Sequence, residues 1–140
     1  MQSLYHTYVA NETGLPGTSY VSSPEGLSLG VSSPLTDEPG TNPEQLIGLA
    51  LATCLNATLR INEANRHEPV DAAVRVRVDM AHDTEGYQFF LHAEVHLPKH
   101  NRQSAEAMLA LAERRCPVAK LVGPSANVTI ELVDEFTPQA

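Results

Sequence analysis

A chain of 140 residues with 42% hydrophobic residues is typical of one globular domain of modest size. Its net charge of -8 makes phosphate backbones and anionic lipid poor partners, which argues against nucleic-acid and membrane binding. The charge is also uneven, because every Lys and Arg lies at Arg60 or later in the sequence.

The amino-terminal sequence predicts an intracellular chain, which affects how the two cysteines are interpreted. Residues 1–14 have neither a basic start nor an apolar core, so they do not predict a secretory signal. The apolar stretch from Leu46 to Leu55 is too short to span a bilayer. We therefore expect a cytoplasmic protein, in which two cysteines favour redox chemistry, metal binding or plain burial over a structural disulfide.

The first third of the chain predicts short strands followed by a long helix. Strands are expected at residues 3–10, 18–23 and 27–33, separated by turns rich in Gly, Pro and Asn. The sequence Thr41-Asn-Pro-Glu44 is a capping-box pattern that begins a helix running to about Asn65. Its first half is apolar on nearly all sides, which predicts a buried position. Its second half is predicted to enter solvent at Asn62, Glu63, Asn65 and Arg66.

Two alternating strands and a second helix follow. The strands, at residues 74–80 and 87–97, place hydrophobic side chains on one face with period two. Asn101 caps a helix predicted to run from Arg102 to about Arg115, then a short turn at residues 117–122 and a last strand at 127–133 complete the chain. The order βββ-α-ββ-α-β predicts an α+β fold, in a single domain of residues 1–140.

Cys54 and Cys116 are the strongest candidates for chemistry. Cys54 lies about ten residues inside the first helix, and Cys116 continues the inward face of the second, so the two can meet in one small core. A lone buried cysteine is most often an inert small hydrophobe, and that alternative stays open for both. Pro117 suits the start of a helical turn, which predicts a Cys116 sulfur near a helix N-terminus, where a thiolate is favoured.

Glu44 and a histidine-rich strand face are further candidates for chemistry, but each also has a structural explanation. Glu44 is well explained as a carboxylate at the positive end of a helix. His92, Glu94 and His96 alternate along one strand face, with His82 across the hairpin, and could bind a divalent ion. The favoured interpretation of this second group is a solvated polar face.

Several motifs, taken in order, resemble the OsmC/Ohr family of osmotically inducible and organic hydroperoxide resistance proteins. They are Thr41-Asn-Pro-Glu-Gln-Leu46, Ala52-Thr-Cys54 on the same helix, Arg115-Cys-Pro117, and Asn127-Val-Thr-Ile-Glu-Leu132. The likeness covers roughly two-thirds of the chain, from about Thr41 to Leu132.

The resemblance implies an OsmC-like fold in an intertwined homodimer, with active sites at the subunit interface. Cys54 would match the peroxidatic cysteine, Cys116 the resolving cysteine that forms a disulfide with it, and Glu44 the active-site glutamate. The substrates would be organic hydroperoxides, and the reductant a dithiol such as a lipoyl group on a protein. No metal, haem or flavin cofactor is implied.

The chain departs from the family at one position of the site. The family carries an arginine between its first two strands, but residues 9–18 contain none here. A buried thiol without a nearby cation ionises less readily, which predicts slow peroxide reduction at neutral pH. Arg115 and His6 are candidate substitutes, and Arg60 is a weaker one. The alternative function is an OsmC-like dimer with weak or lost peroxidase activity that acts as a small-molecule binding or scaffold protein.

Overall fold

A computed structural model describes residues 1–139 and confirms the α+β architecture. In chain order, the elements of these residues are β1 (Val9–Asn11), β2 (Gly17–Val21), β3 (Ser28–Val31), α1 (Pro43–Asn65), β4 (Ala73–His82), β5 (Tyr87–His96), α2 (Arg102–Arg115), α3 (Pro117–Val122) and β6 (Val128–Leu132). The chain divides into two compact units, one formed by Met1–Leu46 and one that begins at Ile47. Among the described residues, no helix combines the length and the apolar character that crossing a membrane requires.

The first unit is built on an antiparallel sheet in the order β1-β2-β3. Its register pairs Val9 with Val21 and Ser19 with Leu29. The sequence-based prediction made the first strand too long, since residues 3–8 lie outside the sheet. The first strand is short because its partner strand β2 ends at Val21. The last hydrogen bond between the two strands runs from Ser22 N to Tyr8 O. His6 therefore precedes the sheet instead of lying within it.

The passage from β3 into α1 depends on a close backbone approach. Thr41 N donates to Gly30 O at 2.9 Å, and Ser32 N donates to Thr41 O at 2.8 Å. Gly40 between them has a φ of +128°, and a Cβ there would lie 2.8 Å from Gly30 O, so only glycine fits. Asn42 then caps α1, because its Oδ1 accepts from Gln45 N at 2.8 Å.

The second unit packs α1, α2 and α3 against one mixed sheet. The order is β4-β5-β6, with β4 and β5 antiparallel and β5 and β6 parallel. One continuous core joins all these elements through mostly aliphatic side chains. The fully or nearly fully buried members of that core include Leu51, Leu55, Leu59, Leu91, Ala93, Val95, Met108, Ala112 and Cys116. The predicted helix bounds and the inward face of β5 are confirmed.

Helix α1 differs from its prediction in both halves. Its first half is buried on one face alone, since Leu49 is 61% exposed. On the inward side Gly48 comes so near β4 that a Cβ would lie 3.1 Å from Val78 Cγ2. In the second half Asn62 and Glu63 are buried instead of solvated. Leu51, Leu55 and Leu59 form a buried stripe of every fourth residue along α1. The stripe continues to Glu63, because the helical period and not the polarity of the side chain decides which positions face inward.

Glu63 is tolerated in the core because a polar network surrounds it. Its Oε1 accepts from Ala72 N at 3.0 Å, and its Oε2 lies 3.1 Å from His100 Nε2. The other ring nitrogen of His100, Nδ1, lies 2.9 Å from Glu68 Oε2. The cluster Glu63–His100–Glu68 therefore connects the end of α1 to the loop before α2 through polar contacts, which apolar side chains could not form.

The polar face of the second sheet is partly covered by the carboxy-terminal segment. Glu94 is 6% exposed, and its Oε2 accepts from Thr137 Oγ1 at 2.6 Å. The guanidinium of Arg75 lies 4.8 Å from the centre of the Phe136 ring. The prediction of a solvated face is wrong for Glu94, because residues beyond β6 fold back over it.

Replacing Thr137 with valine is expected to weaken the folded protein at neutral pH. The Thr137 hydroxyl is the main cause that lowers the pKa of Glu94 from its ordinary 4.5, with Arg75 a smaller one. The ionised carboxylate therefore stabilises the fold above pH 4.5, and that contribution is lost as the pH falls through the lowered folded value. Urea titration should show that Thr137→Val lowers the free energy of unfolding at pH 7. It should also reduce the difference between the free energies of unfolding at pH 7 and at pH 3. Thr129→Val, at an exposed threonine of β6, should change neither quantity.

Candidate functional site

Two free thiols occupy the centre of the second unit. Cys54 lies on α1 between the buried Leu51 and Leu55 and is itself half-buried. Cys116 links α2 to α3 and is fully buried. Both side chains belong to the same packed core.

The Cys-Pro sequence explains how Cys116 is held. Its N–H closes the last turn of α2 by donating to Ala112 O at 2.8 Å. Pro117 then begins α3, and the Cys116 sulfur accepts from Ala119 N at 3.4 Å. The prediction that this sulfur lies at the start of a helical turn is confirmed.

The two thiols influence each other within that core, because Cys54 contributes to the pKa of the Cys116 thiol. Burial is the largest influence on Cys116 and raises the pKa of its thiol, with Cys54 adding to the rise. The Ala119 and Val118 N–H groups act in the opposite direction and lower that pKa without reversing the shift. The expectation that its position favours a Cys116 thiolate is therefore wrong in net effect.

Exposure separates the two cysteines. Cys54 retains access to solvent, whereas Cys116 has none in the folded chain. Of the two cysteines, Cys54 is therefore the one that a small molecule can reach from solvent.

Glu44 belongs to the first unit, in the first turn of α1. Its Oε2 is buried and, within residues 1–139, has no hydrogen-bond partner. A buried carboxylate oxygen left unpaired is costly, so it is a position where a donor from another molecule would be stabilising.

In the described chain, the expected substitutes for the missing arginine either bind other groups or are exposed to solvent. Arg115 Nη1 donates to Asn62 Oδ1 at 3.1 Å, and Asn62 lies about 12 Å beyond Cys54 along the helix. Arg60 Nε donates to Ala72 O at 2.9 Å. His6 is exposed, with its ring against Tyr8. Arg115 and Arg60 are thus held away from Cys54.

The histidines of the second sheet have partners of their own. His92 Nε2 lies 2.7 Å from Glu131 Oε1, and His96 Nδ1 lies 3.3 Å from Val133 O. Glu94, which lies between them on the strand, accepts a hydrogen bond from Thr137. Residues 1–139 contain no group of three or more His, Cys, Asp or Glu side chains arranged to hold a metal ion. The geometry gives the metal alternative no support.

The first unit contains an apolar cleft of about 390 Å³ on one face of its sheet. The cleft is lined by residues of all three strands, by Leu27 and by the first turn of α1. The lining residues are Val9, Ala10, Asn11, Ser19, Tyr20, Val21, Leu27, Leu29 and Leu46. Nothing in the sequence patterns singled out this cleft, because its residues come from four separate segments.

Comparison with known proteins places the chain in a family. The pattern of the family described as OsmC-like protein matches residues 36–131, and the chain belongs to this family. It is 27% identical, over 95% of its length and 99% of the relative's, to the organic hydroperoxide resistance protein OhrA of Bacillus subtilis strain 168. The similar OhrB of the same strain is 25% identical over 68% of this chain and 71% of its own.

Solved structures show the same fold. A crystal structure from Lactobacillus casei ATCC 334, provisionally described as a redox protein, has a TM-score of 0.90 and 44% identity over 98% of this chain and 96% of that one. The Bacillus subtilis OhrB structure has a TM-score of 0.81 at 22% identity, over 94% of this chain and 100% of that one. The family and the OsmC-like fold expected from the sequence motifs are therefore confirmed.

Proposed function

We propose that this protein is a thiol peroxidase that reduces organic hydroperoxides through Cys54 and Cys116. The observation that carries the proposal is that a half-buried cysteine and a fully buried one belong to the same packed core. Relatives named as organic hydroperoxide resistance proteins support the substrate class. Family membership supports a peroxidase-type role in general, and the two thiols suggest how such a role would be carried out.

The chemistry takes two steps at these sulfurs. The Cys54 thiolate attacks one peroxide oxygen, the O–O bond breaks, and the departing alkoxide takes a proton to leave as an alcohol. Cys54 is then a sulfenic acid. The Cys116 sulfur loses its proton, attacks the Cys54 sulfur and forms a disulfide, while the sulfenic oxygen leaves as water.

An external dithiol completes the cycle. Two thiol groups give up two electrons and two protons, the Cys54–Cys116 disulfide returns to two thiols, and the donor becomes a disulfide. By resemblance to the family we infer a lipoyl-type donor. No cofactor takes part, because the electrons pass between sulfur and oxygen atoms alone.

One equivalent of an alkyl hydroperoxide is expected to remove both titratable thiols of the reduced protein. Thiol titration and mass spectrometry should show the loss of two hydrogens, localised to a Cys54–Cys116 bond. In Cys116→Ser the same treatment should leave a sulfenic acid on Cys54 that a dimedone-type reagent traps. Survival of both thiols in the folded protein under excess peroxide would rule the mechanism out.

We infer further that Glu44 serves the Cys54 of a second subunit in an intertwined homodimer. The two residues are ten positions apart on one helix, which separates them by about 15 Å along its axis, beyond the reach of a glutamate side chain. The unpaired Glu44 Oε2 supports a role toward another chain. Helices α1 that cross in the dimer would bring each glutamate to the opposite cysteine.

Mixed dimers test this arrangement directly. One chain carries Glu44→Ala and the other Cys54→Ser, separated from the parent dimers by two different tags. If Glu44 acts on the opposite subunit, one site keeps both residues and about half of the wild-type activity survives. If it acts within its own chain, neither site is complete and activity falls to about half that of the Glu44→Ala homodimer. Sedimentation as a monomer would contradict the premise.

The second candidate function is a dimer that binds small molecules with weak or lost peroxidase activity. The absence of Lys and Arg before Arg60 favours it, and the apolar cleft of about 390 Å³ offers room for an apolar ligand. Stopped-flow turnover with a dithiol, comparing tert-butyl hydroperoxide and hydrogen peroxide, separates the two. A rate no higher than that of a free thiol with either peroxide would favour the binding protein.

A further inference from the structure

We propose that the outer face of the second sheet is a peptide-binding site, and that the chain's own Phe136-Thr137 is a bound ligand that can detach from it. The ligand that fits this site is an extended segment in which an aromatic residue precedes a threonine or a serine. The site lies on the face of β5 opposite the core that contains the cysteines, so it goes beyond the proposed function.

Glu94 binds the threonine through two donors of the same residue. Its Oε2 accepts from Thr137 Oγ1 at 2.6 Å. Thr137 N donates to the same carboxylate, at 3.2 Å from Oε1 and 3.3 Å from Oε2. An ionised carboxylate only accepts hydrogen bonds, and such charged bonds are the strong ones. Valine has the shape of threonine but lacks the O–H, so a carboxylate at this position selects a residue with a hydroxyl side chain.

Arg75 and His96 hold the aromatic residue that precedes the threonine. The Arg75 guanidinium lies 4.8 Å from the centre of the Phe136 ring, a cation–π contact. The His96 ring meets the same ring at an edge, with 5.8 Å between the two ring centres. Arg75 also donates to Thr137 O and lies 3.4 Å from Glu94 Oε1. One guanidinium therefore joins the aromatic half of the site to its polar half.

The bound segment can leave without unfolding the core. Within residues 1–139, Phe136 is not among the side chains that form the hydrophobic core or pack against it. Residues 134–135 and 137–139 are exposed. The backbone remains paired to β5 as far as Val133, whose N–H donates to Val95 O at 2.9 Å. Detachment therefore breaks the contacts of the site and leaves the sheet intact.

The ionisation of Glu94 sets the pH at which the segment is held. The hydroxyl of the bound threonine is the main cause that lowers the pKa of Glu94 from 4.5, burial opposes it, and Arg75 and His92 add to the lowering. The segment is therefore held above pH 4.5 and detaches as the pH falls through the lowered value. The other titratable groups at this face are His96, against the ring, and Glu131, which pairs with Glu94 in register and lies 2.7 Å from His92 Nε2.

The test uses the full-length chain with both bound residues replaced, Phe136→Gly and Thr137→Gly, which empties the site. A capped peptide of residues 134–139 is titrated into this variant at pH 7, and the backbone amides are followed by NMR. Saturable shifts are expected at Arg75 and Glu94. The wild-type protein should bind the peptide about tenfold more weakly, because its own tethered segment competes for the site.

Matched peptides test the chemistry of recognition. A serine in place of the threonine should leave the affinity nearly unchanged, whereas a valine should lower it about tenfold, because one donor to the carboxylate is lost. Equal affinities for the threonine and valine peptides would overturn the proposal. The absence of saturable shifts in the emptied variant, folded by circular dichroism, would overturn it too.

Hydrogen exchange in the wild-type protein tests detachment without emptying the site. The Thr137 amide should exchange by local opening, faster than the amides of β5, and faster still in Glu94→Gln, where the charge that holds it is lost. A Thr137 amide that exchanges as slowly as those of β5 would contradict a segment that detaches by itself. None of these measurements involves peroxide, so their outcome is independent of the proposed peroxidase.

Discussion

Hydroperoxide consumption by the wild-type protein is expected to be slow at pH 6 and to rise about tenfold for each pH unit up to about pH 8. The thiolate is the attacking species, and its fraction grows tenfold per unit while the thiol still predominates. A cation would make the thiolate predominant at lower pH, but residues 1–59 contain no Lys or Arg and Arg115 is bound to Asn62.

The measurement is the second-order rate constant with tert-butyl hydroperoxide by stopped flow, from pH 5.5 to pH 9. Arg115→Ala should reproduce the wild-type profile, since its guanidinium is held about two helical turns beyond Cys54. His6→Ala tests the remaining candidate on the exposed amino-terminal segment. A rate already flat between pH 6 and pH 8 would contradict the expectation, and a profile altered by either substitution would identify the cation.

Local sequence signals predicted most of the fold. The start of α1 at Pro43, the Cys-Pro junction before α3 and the alternation along β5 each depend on a few neighbouring residues, so the pattern could be followed along the chain. The first strand was misjudged because its length depends on β2, a partner that ends early. The exposure of α1 was misjudged because helical periodicity marks a buried face but does not say how far the face is covered.

The cysteine pair could be predicted for the same reason. Both residues lie on inward helix faces at positions the periodicity fixes, and a small core brings inward faces together. Partners from distant segments could not be predicted in this way. Thr137 lies 43 residues from Glu94, and His100 lies 37 residues from Glu63. The one available signal was position: Glu63 falls on the stripe of Leu51, Leu55 and Leu59, where a carboxylate requires a buried partner.

Replacing His100 with leucine is expected to destabilise the protein by about 3–5 kcal/mol. The substitution introduces an apolar side chain of similar size and removes the ring nitrogen that lies 3.1 Å from Glu63 Oε2. Glu63 has no exposed surface, so its carboxylate would be left buried with Ala72 N as its one donor. Urea unfolding at pH 7 measures the loss. Glu106→Gln is the matched control, because its pair with Arg102 is solvent-exposed and is worth at most about 1 kcal/mol.

A double variant decides whether the cost comes from the charge or from the shape. Glu63→Gln keeps an oxygen that can accept from Ala72 N but removes the buried negative charge. In the His100→Leu background it should therefore recover a large part of the lost stability, whereas in the wild-type background it should be destabilising, because His100 loses a charged partner. If Glu63→Gln is equally harmful in both backgrounds, the two residues do not act as a pair. The damage in His100→Leu would then arise from packing against Ser104 and the start of α2, where the ring lies 3.2 Å from Ser104 Oγ.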